Sequence, residues 1–152
     1  RTTVQAANDL AAATGAPAAA MELPDGTIVT GKTSNLLGSS AALILNAVKA
    51  LGNIGHEVHL IAPSAIEPIQ KLKVNYLGSK NPRLHTDEVL IALSMCAATD
   101  PTAQNALNQL SKLKGCQVHT SVMLSDVDIN VFKKLGVDLT SEPVYEERKI
   151  YH

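Results

Sequence analysis

Two polar segments of this chain carry residue types that could bind or transform a ligand. The first is Gly26-Thr27-Ile28-Val29-Thr30-Gly31-Lys32-Thr33, which fits the phosphate-loop pattern G-x-x-x-x-G-K-[ST]. In such a loop, backbone N–H groups cradle phosphates, the lysine neutralises charge and the hydroxyl binds magnesium. The local chemistry argues against it here. Asp25-Gly26 is a turn pair between short apolar runs, and Thr27–Thr30 is β-branched throughout, so a hairpin and a strand are expected in place of a curled loop. A narrower anion site survives at the exit of that strand. Lys32, Thr33 and Ser34 lead toward a helix beginning near Gly38-Ser39-Ser40, and helix starts favour anions. A loop that merely caps the helix is the plainer alternative.

The second segment is Asn81-Pro82-Arg83-Leu84-His85-Thr86-Asp87-Glu88. Thr86 reads as the cap of a following helix, with Asp87 and Glu88 in its first turn. Arg83 and His85 just before it could hold an anion. Asp87 and Glu88 could support acid–base chemistry or a metal. An exposed, well-capped loop is the competing reading. No zinc spacing, serine-hydrolase elbow or H-E-x-x-H motif occurs, so no metal site is assigned and the cofactor is unknown. His59 and His119 fall in expected strands, where a packed, hydrogen-bonded histidine is commoner than a catalytic one.

The elements that must position these residues follow from periodicity and punctuation. Helices are expected over Thr2–Thr14, Gly38–Leu51, about Ser64–Val74, from Thr86, from Pro101 after the Asp100 cap, and from Ser125 to Lys134. Strands are expected on both sides of Asp25-Gly26, over His56–Ala62 and Cys116–Leu124, with a short one at Val137–Thr140. Strands alternating with helices predict an α/β fold, a mixed, mostly parallel sheet covered by helices with an early β-hairpin. The Gly38–Leu51 helix is apolar almost all round and must be buried on more than one side. The Glu142–Arg148 tail is charged, as a solvated terminus or as a docking segment.

With 152 residues the chain amounts to a single α/β domain with one core. A net charge of −1 and an aromatic content of 3% leave neither the basic surplus nor the stacking platforms of a nucleic-acid binder. The longest apolar run is far short of the roughly 20 residues of a bilayer helix, so no membrane role is expected. Cys96 and Cys116 form no C-x-x-C pair and sit among apolar neighbours, which fits buried free thiols in a reducing, cytoplasmic setting.

Taken together, the motifs resemble a known family. Leu23-Pro24-Asp25-Gly26-Thr27-Ile28-Val29-Thr30-Gly31-Lys32-Thr33-Ser34 is followed by Leu36-Leu37-Gly38 and Leu45-Asn46-Ala47. Then come Glu67-Pro68-Ile69, Leu72-Lys73, the run from Asn81 to Glu88, Gly115-Cys116, Val118-His119, Leu135-Gly136-Val137 and Glu142-Pro143. This is similar to the C-terminal end of the bacterial uncharacterised protein family numbered 0371. The resemblance implies a longer cytoplasmic protein, of which the chain is roughly the last third, with the N-terminal portion as its partner. It carries over no catalytic residues, and the peptidase label given to some relatives finds no protease motif here. The leading expectation is a domain that binds phosphate or another small anion inside a larger protein whose chemistry could be hydrolytic. The alternative is a non-catalytic packing or homo-oligomerisation domain built around the Gly38–Leu51 helix.

Overall fold

The computed structural model describes residues 2–146. The last residues of the charged tail, Glu147 and Arg148 among them, lie outside the described residues. Helix α1 (Thr3–Thr14) opens on a capping box, with the Thr2 hydroxyl accepting from the Gln5 N–H, and stops at Gly15 in the left-handed region. Strands β1 (Ala18–Glu22) and β2 (Ile28–Lys32) form the expected hairpin. Its turn consumes the donors that a phosphate loop would need. The Gly26 N–H bonds to the Leu23 carbonyl and the Thr27 N–H to the Asp25 carboxylate, and Gly26 has a φ of +87°.

Helices α2 (Ser39–Leu51) and α3 (Pro63–Lys71) follow, and α3 runs on into a π-helical turn, Leu72–Tyr76. Helix α4 is Thr86–Ala97. Helix α5 (Pro101–Asn108) starts from an Asp100 side-chain cap and ends in a 3-10 turn, Gln109–Leu113. Strand β3 (Gln117–Thr120), helix α6 (Asp126–Leu135) and strand β4 (Asp138–Ser141) complete the described chain.

The sheet order is β2-β1-β3-β4, with β1 antiparallel to both β2 and β3 and only β3–β4 parallel. The fold is therefore mixed α/β, but the sheet is mostly antiparallel, which corrects the expectation of a mostly parallel one. The reason is local. The hairpin fixes one antiparallel pair. The run His56–Ala62, counted as a parallel strand, is a loop with turns, including a Val58 N–H to Gly55 carbonyl bond. Only Leu60 and Ile61 of that run are deeply buried. His56, Glu57, His59 and Ala62 are exposed and Val58 is only partly buried, so the run has no continuous face to cover. Strand β3 is likewise shorter than Cys116–Leu124.

Strand β1 shows how the layers form. Ala19 and Met21 point into the main core with Leu43, Ile44 and Val48 of α2, while Ala20 packs on Ala6 and Ala7 of α1. Alternate residues of one strand thus face two helical layers. Small side chains on β1 let α1 approach closely. Gly31 does the same for α2: a Cβ there would fall 2.3 Å from the Leu43 backbone N and 2.6 Å from the Ser39 carbonyl O. Helix α2 is buried inside this chain, against β1, β2, α4 and α5. Its apolarity is accounted for largely by this intrachain packing, with Ala42, Leu45, Asn46 and Lys49 left along a groove shared with Leu60 and Ile61.

No helix among the described residues is long and apolar enough to cross a membrane.

Candidate functional site

A short parallel pairing outside the main sheet builds the site. The Leu84 N–H bonds to the Leu36 carbonyl at 3.0 Å and the Gly38 N–H to the Leu84 carbonyl at 3.2 Å. Two extended segments run side by side, and each leads directly into a helix. The first turns of α2 and α4 therefore lie next to one another. The start of α6 joins them, and a cleft of about 60 Å³ opens between, lined by Thr33, Ser39, Ser40, Arg83, His85 and Asp128, with Glu146 and an apolar wall at Val122–Leu124.

The three helix starts are satisfied differently. Helix α6 is capped by the Ser125 hydroxyl, which accepts from the Asp128 N–H. At α4 the cap position is His85, one residue before the expected Thr86, because Glu88 reaches back to accept from the His85 N–H at 2.8 Å. The Thr86 N–H and hydroxyl, fully buried, both donate to Asp128 Oδ1, at 3.1 and 2.6 Å. A carboxylate from α6 thus occupies the positive end of α4. Helix α2 has no side-chain cap, although Ser39 and Ser40 are buried. The Ser40 hydroxyl, 2% exposed as a residue, has no hydrogen-bond partner. A buried helix start without a cap leaves strong donors unsatisfied.

Arg83 is buried at the cleft, and its Nε donates to the Ser34 carbonyl. Behind it, Lys73 of the π-helical turn is buried and donates to the Arg83 carbonyl and, at 2.8 Å, to Glu88. A buried ion pair of this kind holds the Arg83–His85 segment against α4. On the cleft side, His85 Nδ1 stands 3.8 Å from Asp128 Oδ2. Asp128 raises the pKa of His85, and partial burial works the other way. Burial pushes the Asp128 pKa up, but donation from His85 and Thr86 outweighs it and leaves the carboxyl below its usual range. Glu146 is solvent-exposed as a residue, yet crowding around its carboxyl raises its pKa, with Arg83 and His85 pulling it back.

Of the residues singled out in the sequence, Thr33, Arg83 and His85 come together at this cleft. The Thr33 hydroxyl is already bonded to the Pro17 carbonyl. Ser34 contributes its carbonyl to Arg83, but its hydroxyl accepts from the Leu36 and Leu37 N–H groups. Lys32 is exposed at the end of β2, paired with Ala18, and is absent from the lining. Glu88 is engaged by Lys73 and His85, while Asp87 caps locally onto the Glu88 N–H. Among the described residues no group of acids, histidines or cysteines could hold a metal ion. His119 is a structural residue, with Nδ1 2.7 Å from the Thr140 hydroxyl and Nε2 2.7 Å from Glu142. His59 lies in the loop between α2 and α3, along an apolar groove with Leu60 and Ile61.

Sequence reasoning missed Asp128, Lys73 and Glu146 as site residues, and it named Ser40 only as part of the helix start beside the expected anion site. Asp128 alone left a trace: a carboxylate three residues after a Ser cap is the capping-box position, but here its side chain serves another helix. No pattern along the chain signals such a partnership.

The C-terminal model of the domain of unknown function DUF1846 matches residues 1–151. UPF0371 proteins of Corynebacterium urealyticum and Corynebacterium glutamicum (strain R) are each 56% identical over 151 residues, covering 99% of this chain and 30% of theirs. One from Streptococcus uberis is 53% identical over 138 residues, 91% of this chain and 28% of its own. The chain thus spans less than a third of the length of the relatives it matches, and it belongs to the UPF0371 family as that family's C-terminal DUF1846 domain.

Proposed function

We propose that the cleft at the start of α2 binds a small anion, above all the phosphate group of a larger ligand, as part of the longer UPF0371 protein. One observation carries this reading: a buried, uncapped helix start bearing an unpartnered Ser40 hydroxyl faces the same cleft as the buried guanidinium of Arg83. Helix N–H groups, a neutral hydroxyl and a guanidinium together suit a tetrahedral oxyanion. Asp128 does not oppose this, because Thr86 and His85 already engage its charge. Any hydrolytic step of the whole protein would use His85, held by Asp128, as its proton carrier. A cytoplasmic setting accords with the unpaired Cys96 and Cys116.

The test is calorimetric titration of the full chain with inorganic phosphate at fixed ionic strength. Saturable binding is expected, weakened about tenfold or more in Ser40→Ala and Arg83→Gln. Phosphate binding that is unchanged in Ser40→Ala would sink the reading.

A second reading, a surface for another part of the protein or for a second copy, shifts away from α2. Tyr76 and Leu77 after α3 and Ile91 and Met95 on α4 are the exposed apolar residues that favour it. Sedimentation of the full chain, compared with an Ile91→Glu, Met95→Glu variant, checks self-association.

A further inference from the structure

A carboxylate stands where a simple anion site should repel it. Glu146 lines the cleft together with Ser40, Arg83 and His85. Its place is set by the chain before it. Past β4 the backbone is tied alongside the segment past β3, with the Glu142 N–H on the Thr120 carbonyl at 3.0 Å and the Met123 N–H on the Val144 carbonyl at 2.7 Å. The Glu142 carboxylate is itself held by the buried His119 at 2.7 Å. Two residues beyond the last of these bonds, Glu146 reaches the cleft. Among the described residues its carboxylate has no hydrogen-bond partner, although Arg83 and His85 act on its charge from within the cleft.

A ligand offering only negative charge would meet repulsion at this point. One that carries a hydroxyl beside its phosphate converts the repulsion into a charged hydrogen bond. The cleft is small, about 60 Å³, and opens to solvent on one side, so a phosphate group can sit at its base with the rest of a small ligand toward the mouth. Val122, Met123 and Leu124 supply an apolar wall for the carbon atoms between the two polar ends.

We propose that the cleft takes a phosphomonoester of a hydroxylated compound, its phosphate on the first turn of α2 and Arg83 and a nearby hydroxyl donating to Glu146. This inference rests on the anion reading of the same cleft. Glu146 is then a specificity-determining residue: it disfavours bare phosphate and favours a phosphate ester with a hydroxyl at the right distance.

The experiment is calorimetry on the full chain with two probes, inorganic phosphate and glycerol 3-phosphate, on the wild type and Glu146→Ala. Glu146 is exposed, so its truncation should leave folding intact, which a thermal melt confirms. Glycerol 3-phosphate is expected to bind the wild type about tenfold more tightly than phosphate. In Glu146→Ala that advantage should vanish, with phosphate itself binding as well or better. Equal affinities for the two probes in the wild type overturn the hydroxyl assignment. So does an alanine variant that tightens both probes equally, which would make the tail carboxylate a competitor of the ligand. If neither probe binds the wild type, the anion reading fails as well, so the two failures are told apart.

Discussion

One oxygen of the Asp128 carboxylate accepts both the hydroxyl and the N–H of Thr86, at 2.6 and 3.1 Å, while the other stands 3.8 Å from Nδ1 of His85. A single side chain on α6 therefore closes the start of α4 and orients the cleft histidine. Asp128→Ala leaves two fully buried Thr86 donors without an acceptor and is expected to cost about 2–4 kcal/mol in urea unfolding. Asp128→Asn keeps an acceptor oxygen and should cost about 1 kcal/mol. If alanine proves no worse than asparagine, the contact does not hold the helix.

The same pair makes stability depend on pH in a defined direction. His85 has a pKa raised above its usual 6.5, so its stabilising contribution is complete below that value and is lost as pH rises through the folded pKa. Asp128 has a pKa below its usual 3.8, so its contribution is present above that value and is lost as pH falls through the folded pKa. The difference in stability between the wild type and His85→Gln should be largest between these ranges, about pH 5, and should shrink above neutrality. Denaturation series at several pH values read it directly, and a difference that grows toward alkaline pH would contradict the pairing.

Gly31 is a packing residue. A methyl group there meets the backbone of α2 and cannot be relieved by a rotamer change. Gly31→Ala should cost about 3 kcal/mol or abolish folding, whereas Lys32→Ala, exposed at the strand end, should change stability by less than about 0.5 kcal/mol. Equal small effects at both positions would mean that α2 does not approach β2 as described. Packing against α2 accounts for the glycine of this pair.

The Ser40 hydroxyl has a readout that does not need a ligand. Removing an unpartnered buried hydroxyl relieves a desolvation penalty, so Ser40→Ala should leave the unliganded chain as stable as before or more stable by about 1 kcal/mol. A clear loss of stability in phosphate-free buffer would show that the hydroxyl has a structural partner.

The two thiols should respond in sequence. Both are free, Cys96 partly accessible and Cys116 buried. Burial raises the pKa of Cys116, and the nearby Glu22 charge adds to it, so its thiolate is scarce at neutral pH. Disulfide-exchange titration should modify Cys96 first and Cys116 only on unfolding, with two thiols in denaturant. Fewer than two without reductant would indicate a disulfide.

Much of this protein could be read along the chain because the signals are local. The Asp25-Gly26 turn, the Asp100-Pro101 start of α5 and the Gly136 stop of α6 each depend on the conformational preferences of one or two residues. The hairpin was enough to dismiss the apparent phosphate loop. Arg83 and His85 were identified as candidates because a helix start is visible in sequence, and the same logic named the wrong cap, Thr86, where a neighbour three residues on made His85 the cap instead.

What the sequence determined by itself is the α/β class, most helix starts and stops, and the family to which the chain belongs. Strand pairing is decided by which edges meet after collapse, and His56–Ala62 lost its strand because only two of its residues found a place in the core. The cleft is likewise tertiary. Asp128 reaches Thr86 across 42 positions and Arg83 reaches Ser34 across 49, and Glu146 arrives only because the tail is tied beside β3. Sequence spacing sets what a helix or turn can do within a few residues. Side chains from distant elements share a site only when packing brings their helix starts to the same place.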